Sequence, residues 1–129
     1  MEPHEHEELV DGLFQQLRTI FEKSDQSIYL YLDDAHKICN DKFASLLGMS
    51  SPDEFAKVTE SFLDMFVTKK SQKKLISAYE NSMEKLVGSA FDVTWKTKNG
   101  EEIETTVILV PILYNGHLFA LHFISQQKM

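Results

Sequence analysis

The chain has 129 residues and a formal net charge of −7, from 20 acidic against 13 basic residues. That length suits one domain with a core that needs no staples, and the acidic balance argues against general binding to nucleic acid or anionic membrane, which rests on clustered Lys and Arg. A single cysteine, Cys39, excludes an internal disulfide; no apolar run approaches the ~20 residues of a membrane span, the acidic start is unlike a secretory signal, and the cytoplasm is the expected location.

Residues 7–23 predict a helix. Val10, Leu13, Leu17 and Ile20 alternate spacings of three and four, and Leu9, Phe14 and Phe21 widen that stripe to one side. About two heptads are too few for a long coiled coil. Two destinations stay open: the helix packs on its own domain, or Val10, Leu13, Phe14, Leu17, Ile20 and Phe21 form a contact between two copies. His4-Glu5-His6 could chelate a metal, but a frayed acidic terminus is the simpler reading.

Residues 27–32, Ser-Ile-Tyr-Leu-Tyr-Leu, predict a strand with aliphatics on one face and tyrosines on the other. Asp33-Asp34-Ala35 is turn material, which explains its adjacent carboxylates without a general acid and base. Residues 36–39 make a short second strand. Asn40 or Asp41 caps a short helix that ends at Gly48, where a left-handed cap belongs. Ser51-Pro52-Asp53-Glu54 predicts a capping box with proline at the first helical position. Residues 59–67 form a dense apolar run directed inward. Ser71 then opens a longer helix with Ile76, Tyr79, Met83 and Leu86 along one face, closed by Gly88.

The last third predicts a β-meander. Phe91, Val93 and Trp95 alternate with Asp92, Thr94 and Lys96, a half-buried strand. Asn99-Gly100 and Asn115-Gly116 predict two-residue hairpins around a long strand over 103–113, before a final strand over 118–124. Pro111 cannot donate to a ladder and predicts a bulge or an unpaired stretch. The whole order gives an α+β domain, a five-stranded antiparallel sheet with helices packed on one face.

This order of elements resembles the PAS family of sensor domains over residues 24–125. The resemblance is carried by Asn40-x-x-Phe43-x-x-Leu46-Leu47-Gly48, Ser51-Pro52-Asp53-Glu54, the Lys98-Asn99-Gly100 hairpin, and Pro111-Ile112 followed by Asn115-Gly116. It implies residues 1–23 as an N-terminal flanking amphipathic helix and 24–129 as the PAS-like sensor domain. Two departures stand out. The first turn reads Asp33-Asp34-Ala35-His36 where the family often has Asp-x-x-Gly. The last strand closes on Ser125-Gln126-Gln127 where the family commonly has Asp-x-Thr, which points either to an excised piece or to output through a partner.

The resemblance also implies a cavity between sheet and helices that holds haem, flavin, a small metabolite or nothing. Haem-binding relatives place a histidine on the long helix, and residues 71–87 contain none. The flavin-reactive motif of blue-light relatives, Gly-x-Asn-Cys-Arg-Phe-Leu-Gln, is absent, and Cys39 reads as a small buried hydrophobe. A metabolite pocket would draw on Phe62, Met65, Tyr79, Trp95 and His122; the competing reading is a filled core. Trp95 by its alternation favours the core. His122, between Leu121 and Phe123, reads first as a core histidine with a hydrogen-bonded neighbour. Lys69, Lys70, Lys73 and Lys74 read as a solvated face, with docking to an acidic partner as the alternative.

No catalytic or metal site is expected, and no phosphate loop or nucleophile elbow occurs. The expectation is a non-enzymatic, homodimeric sensor that binds a small molecule or mediates protein association, with an effector or kinase partner in trans. A ligand-free dimerisation adaptor is the alternative, and a small α+β enzyme a more distant one.

Overall fold

The computed structural model describes residues 3–33, 35–58 and 62–126. Asp34, Thr59 and Gln127 lie outside the described residues, as do the side chains of His4-Glu5-His6, so the readings made there have no structural counterpart. In chain order the elements are α1 (Pro3–Lys23), β1 (Ser27–Asp33), β2 (His36–Cys39), α2 (Asp41–Leu46), α3 (Pro52–Ala56), α4 (Phe62–Phe66), α5 (Lys69–Lys85), β3 (Ser89–Lys96), β4 (Glu102–Tyr114) and β5 (His117–Gln126). The strands form one sheet in the order β2-β1-β5-β4-β3, every pairing antiparallel. The five-stranded α+β expectation holds.

The sheet is apolar on both faces, so two layers cover it. On one face α2, α3, α4 and α5 bury a core containing Tyr29, Phe43, Phe55, Phe62, Trp95 and Val107. On the other, Val10, Leu13 and Phe21 of α1 bury Ile28, Leu30, Phe119 and Leu121. Successive residues of a strand point to opposite faces, so β1 and β5 each serve both cores.

Asn40 joins the layers at one corner. Its side-chain oxygen accepts from the backbone N–H groups of Ile28 (3.1 Å) and Phe43 (3.0 Å). Its amide donates to the carbonyls of Phe21 (3.3 Å) and Gln26 (3.0 Å). The expected helix cap therefore also fixes where α1 ends and β1 begins.

The two hairpins differ. At the second, Asn115 and Gly116 both take positive φ (47° and 79°) and Tyr114 pairs with His117, the expected two-residue turn. At the first, Lys96 pairs with Glu102, so the connection is longer than predicted. Gly100 alone is left-handed (φ 85°), and its N–H donates to the Thr97 carbonyl at 3.0 Å. Thr97 Oγ1 accepts from the N–H groups of Asn99 and Glu101, each at 3.2 Å, and this side-chain clamp favours the longer loop over an Asn-Gly turn.

Pro111 causes no bulge. It pairs with Ala120 of β5 in unbroken register, while β3 ends opposite Leu109, so at Pro111 β4 has a neighbour on one side only. The box at Ser51 is also rearranged: Ser51 makes no cap bond, and Glu54 instead accepts from the N–H (2.9 Å) and hydroxyl (3.0 Å) of Ser50. Glu54 further accepts from Lys98 Nζ, tying α3 to the first hairpin.

The long helix starts before Ser71, with Thr68 at its N-cap position but making no side-chain cap bond, and ends before Gly88, at Leu86 with φ 57°. Its buried line is Ser71, Leu75 and Ser82, whereas Ile76 and Leu86 of the predicted face are 43% and 62% exposed. The reason is a partner invisible to periodicity: Ser71 Oγ accepts from the Thr94 N–H at 2.8 Å, turning the helix so that it closes the edge of β3.

Candidate functional site

Alternation along β1 and β5 sends Tyr29, Tyr31 and His122 toward the helical layer. There they meet Phe62 and Leu63 of α4 and Leu75, Ile76 and Tyr79 of α5, and together these side chains line a cleft of about 110 Å³. Ile76 lines it and is 43% exposed, so the cleft reaches solvent at that rim.

Its floor is a stack of rings. His122 lies flat on Tyr29, centroids 3.9 Å apart and planes at 7°, and Tyr29 also stacks on Phe43 at 4.8 Å. Tyr31 meets Tyr79 edge-on at 5.7 Å. The His122 Nδ1–H donates to the Ala120 carbonyl at 3.1 Å; a carbonyl only accepts, so this bond fixes the proton on Nδ1. Burial pushes the His122 imidazole down to about 3, against a smaller upward pull from its Ala120 and Tyr29 backbone hydrogen bonds. The ring is neutral at neutral pH. Burial likewise holds the Tyr29 hydroxyl well above the ordinary tyrosine range, with Tyr31 adding to the effect, and raises Tyr79, with a smaller contribution from Asp33.

Of the five pocket residues expected from sequence, Phe62, Tyr79 and His122 are brought together here. Met65 is not: it is 53% exposed on the solvent side of α4, because Phe62 and Phe66 already occupy that helix's inward positions. Trp95 belongs to the core behind the cleft. It is fully buried, edge-on to Phe43 at 5.1 Å, and its Nε1–H donates to Thr105 Oγ1, which donates onward to the Val93 carbonyl, each at 2.8 Å.

Tyr29, Tyr31, Leu63, Leu75 and Ile76 were not anticipated as lining. The tyrosine face of the first strand and the four-residue step from Leu75 to Tyr79 carried that information. Lys37 is a second surprise. It is buried, its Nζ donates to the Val58 carbonyl, and it lies 5.2 Å from the Phe55 ring and 5.8 Å from that of Phe62. Nothing in its strand pattern separates it from an ordinary solvated lysine.

Cys39 is buried, and burial pushes its thiol up to about 12, so it is inert as a nucleophile. Lys69, Lys70, Lys73 and Lys74 are all exposed, and Lys70 and Lys74 border a polar groove with Asp92 and Glu104. A wider, more open furrow is lined by Asp25, Asp41 and Glu101 together with the apolar Leu46 and Ile103. Of these three hollows the cleft pairs an apolar, aromatic lining with a few polar tips, the character of small-molecule sites. Among the described residues no cluster of His, Cys, Asp and Glu could hold a metal ion, and no helix is long and apolar enough to cross a membrane.

The candidate interface residues of α1 divide. Val10, Leu13 and Phe21 are 5%, 3% and 4% exposed against the chain's own sheet. Phe14 and Leu17 are half-buried there, and Ile20 is 47% exposed. The physical reason is the apolar outer face of β1 and β5, which α1 is the nearest element to cover.

No protein-family model matches the sequence, and no curated protein does. Solved structures do. A PAS domain from a two-component sensor histidine kinase aligns at TM-score 0.67 and 11% identity, covering 91% of this chain and 98% of that one. The PAS domain of a LuxR-family transcriptional regulator from Burkholderia thailandensis, solved in complex with ethanol, aligns at 0.65 and 15%, covering 87% and 97%. The PAS domain of the fruit-fly ELK potassium channel aligns at 0.66 and 15%, covering 90% and 98%. At such identities the likeness is one of fold. The alignments span most of this chain and nearly all of each neighbour, and the chain is a PAS-fold domain.

Proposed function

We propose that this domain is a non-enzymatic sensor module: a small molecule enters the cleft, and occupancy is passed through the sheet to α1. One observation carries the reading. Tyr29 and His122 line the cleft, while their immediate neighbours Ile28, Leu30 and Leu121 hold α1 on the opposite face. A ligand that displaces the Tyr29–His122 stack must move strands whose other side is the seat of α1, and the two helix positions then differ in ligand affinity.

The neighbours support a regulatory role, since they come from a sensor kinase, a transcriptional regulator and a channel. The ethanol held by the Burkholderia thailandensis domain supports a small ligand in this fold. A lining of aromatic and aliphatic groups around a neutral imidazole favours binding over catalysis. The output partner on this reading is an effector or kinase in trans, in the cytoplasm.

Hydrogen exchange read during a small-molecule fragment screen tests it. A fragment that shifts resonances of the cleft should change protection along α1, at Val10 and Leu13. Cleft binding with α1 unchanged would sink the coupling. No cleft binder at all would leave the second reading, a ligand-free dimerisation adaptor, which the exposed Ile20 and Ile108 (47% and 45%) favour.

A further inference from the structure

We propose that the cleft selects a neutral, amphipathic molecule of a few non-hydrogen atoms, of the size and polarity of a short-chain alcohol; this rests on the cleft being the ligand site. Size comes first. The cleft's volume of about 110 Å³ is small for a ligand site, so its occupant is a molecule of only a few heavy atoms. Known small-ligand pockets of about 300 Å³ and more are larger, so a flavin or haem ring system would require this cleft to widen.

Charge comes second. The lining side chains are aromatic or aliphatic, apart from three tyrosine hydroxyls and the imidazole of His122. That ring is held neutral, its Nδ1–H committed to Ala120. Among the described residues, Lys37 lies over the Phe62 ring and donates to the Val58 carbonyl, and Asp33, whose charge reaches Tyr79, is bonded to His36 at 2.7 Å. An ion entering the cleft would shed water and find no counter-charge among the lining side chains, whereas a hydroxyl needs one hydrogen bond among tyrosines while its alkyl body lies against Leu75 and Ile76.

Affinity follows from size. Even the best tiny ligands gain only about 1.5 kcal/mol per heavy atom, so a four-atom ligand binds with Kd no tighter than tens of micromolar. The site therefore reports abundance of a common small compound and not trace amounts.

The test uses the intact chain and NMR titration with 1-propanol, propionate, n-propylammonium and flavin mononucleotide. 1-Propanol should shift resonances of Leu75, Ile76 and Tyr79 saturably, and both ions should bind there at least tenfold more weakly. Ile76→Trp, a change at the solvent rim that leaves the core alone, should weaken 1-propanol binding more than tenfold. Tyr79→Phe should weaken it while keeping the fold. Tighter binding of either ion or of the flavin at these resonances would overturn the ligand class and leave the sensor reading standing. Shifts that persist unchanged in Ile76→Trp would place the alcohol elsewhere and overturn the assignment, and silence of the cleft toward all four probes would overturn both.

Discussion

At the scale of single residues, His122 is where the cleft and the stability of the domain meet. Its imidazole titrates near 6.5 in an unfolded chain and about 3 when folded, because burial disfavours the cation. The unfolded state therefore binds more protons between those values, and stability is lost as pH falls from 6.5 toward 3. Between pH 7 and pH 5 the loss should be about 2 kcal/mol, read as a falling urea midpoint, and His122→Phe should flatten that slope. An unchanged slope in the variant would mean that another group governs it. Glu54 adds to the same trend only lower down. Its carboxyl is held to about 2, chiefly by Lys98, so its contribution disappears as pH falls from 4.5 toward 2. Sequence placed His122 in apolar surroundings and foresaw a hydrogen-bonded partner; it did not supply Tyr29 beneath the ring, since cross-strand register follows from how β1 finds β5, ninety-odd positions away.

At the scale of elements, α1 is seated by a glycine. A Cβ on Gly12 would stand 2.5 Å from the hydroxyl oxygen of Tyr114, and 3.4 Å from the ring carbon that bears it. Alanine in a helix interior is worth roughly 0.5–1 kcal/mol over glycine, but here that gain meets the tyrosine hydroxyl. In a Tyr114→Phe background, Gly12→Ala should therefore stabilise by about 0.5–1 kcal/mol, and in the wild-type background the gain should vanish or reverse. Equal effects in both backgrounds would show that the hydroxyl does not hold the helix. The amphipathic stripe of α1 was legible because three- and four-residue spacing is a property of local sequence. The facing of α5 was not, because the bond between Ser71 and Thr94 spans 23 positions and outweighs the apolar pattern of Ile76 and Leu86. The two Asn-Gly turns diverge for a similar reason, since Thr97 side-chain bonds stabilise the longer loop at one of them.

At the scale of the whole molecule, helix and strand order was readable from periodicity and turn chemistry, and with it the architecture. The covering of both sheet faces was less so: Ile28 and Leu30 announce a second apolar face, but not which element covers it. The oligomeric state depends on what α1 leaves uncovered. With Val10, Leu13 and Phe21 committed to the sheet, a homodimer would use Ile20 together with Ile108 on the exposed part of the outer face. Sedimentation at about 100 μM should then report twice the chain mass of 14.9 kDa, and Ile20→Lys with Ile108→Lys should return it to the monomer. A wild-type chain already monomeric at that concentration would end the dimer proposal.

The four hydrogen bonds of Asn40 bear on where this domain can be cut. Residue 24 looks like a natural border in sequence, yet a fragment starting there would forfeit the Phe21 carbonyl and bare Ile28, Leu30, Phe119 and Leu121 to water. A fragment beginning at residue 24 should therefore unfold at a lower urea concentration than the whole chain; an equal midpoint would show that the first helix is dispensable.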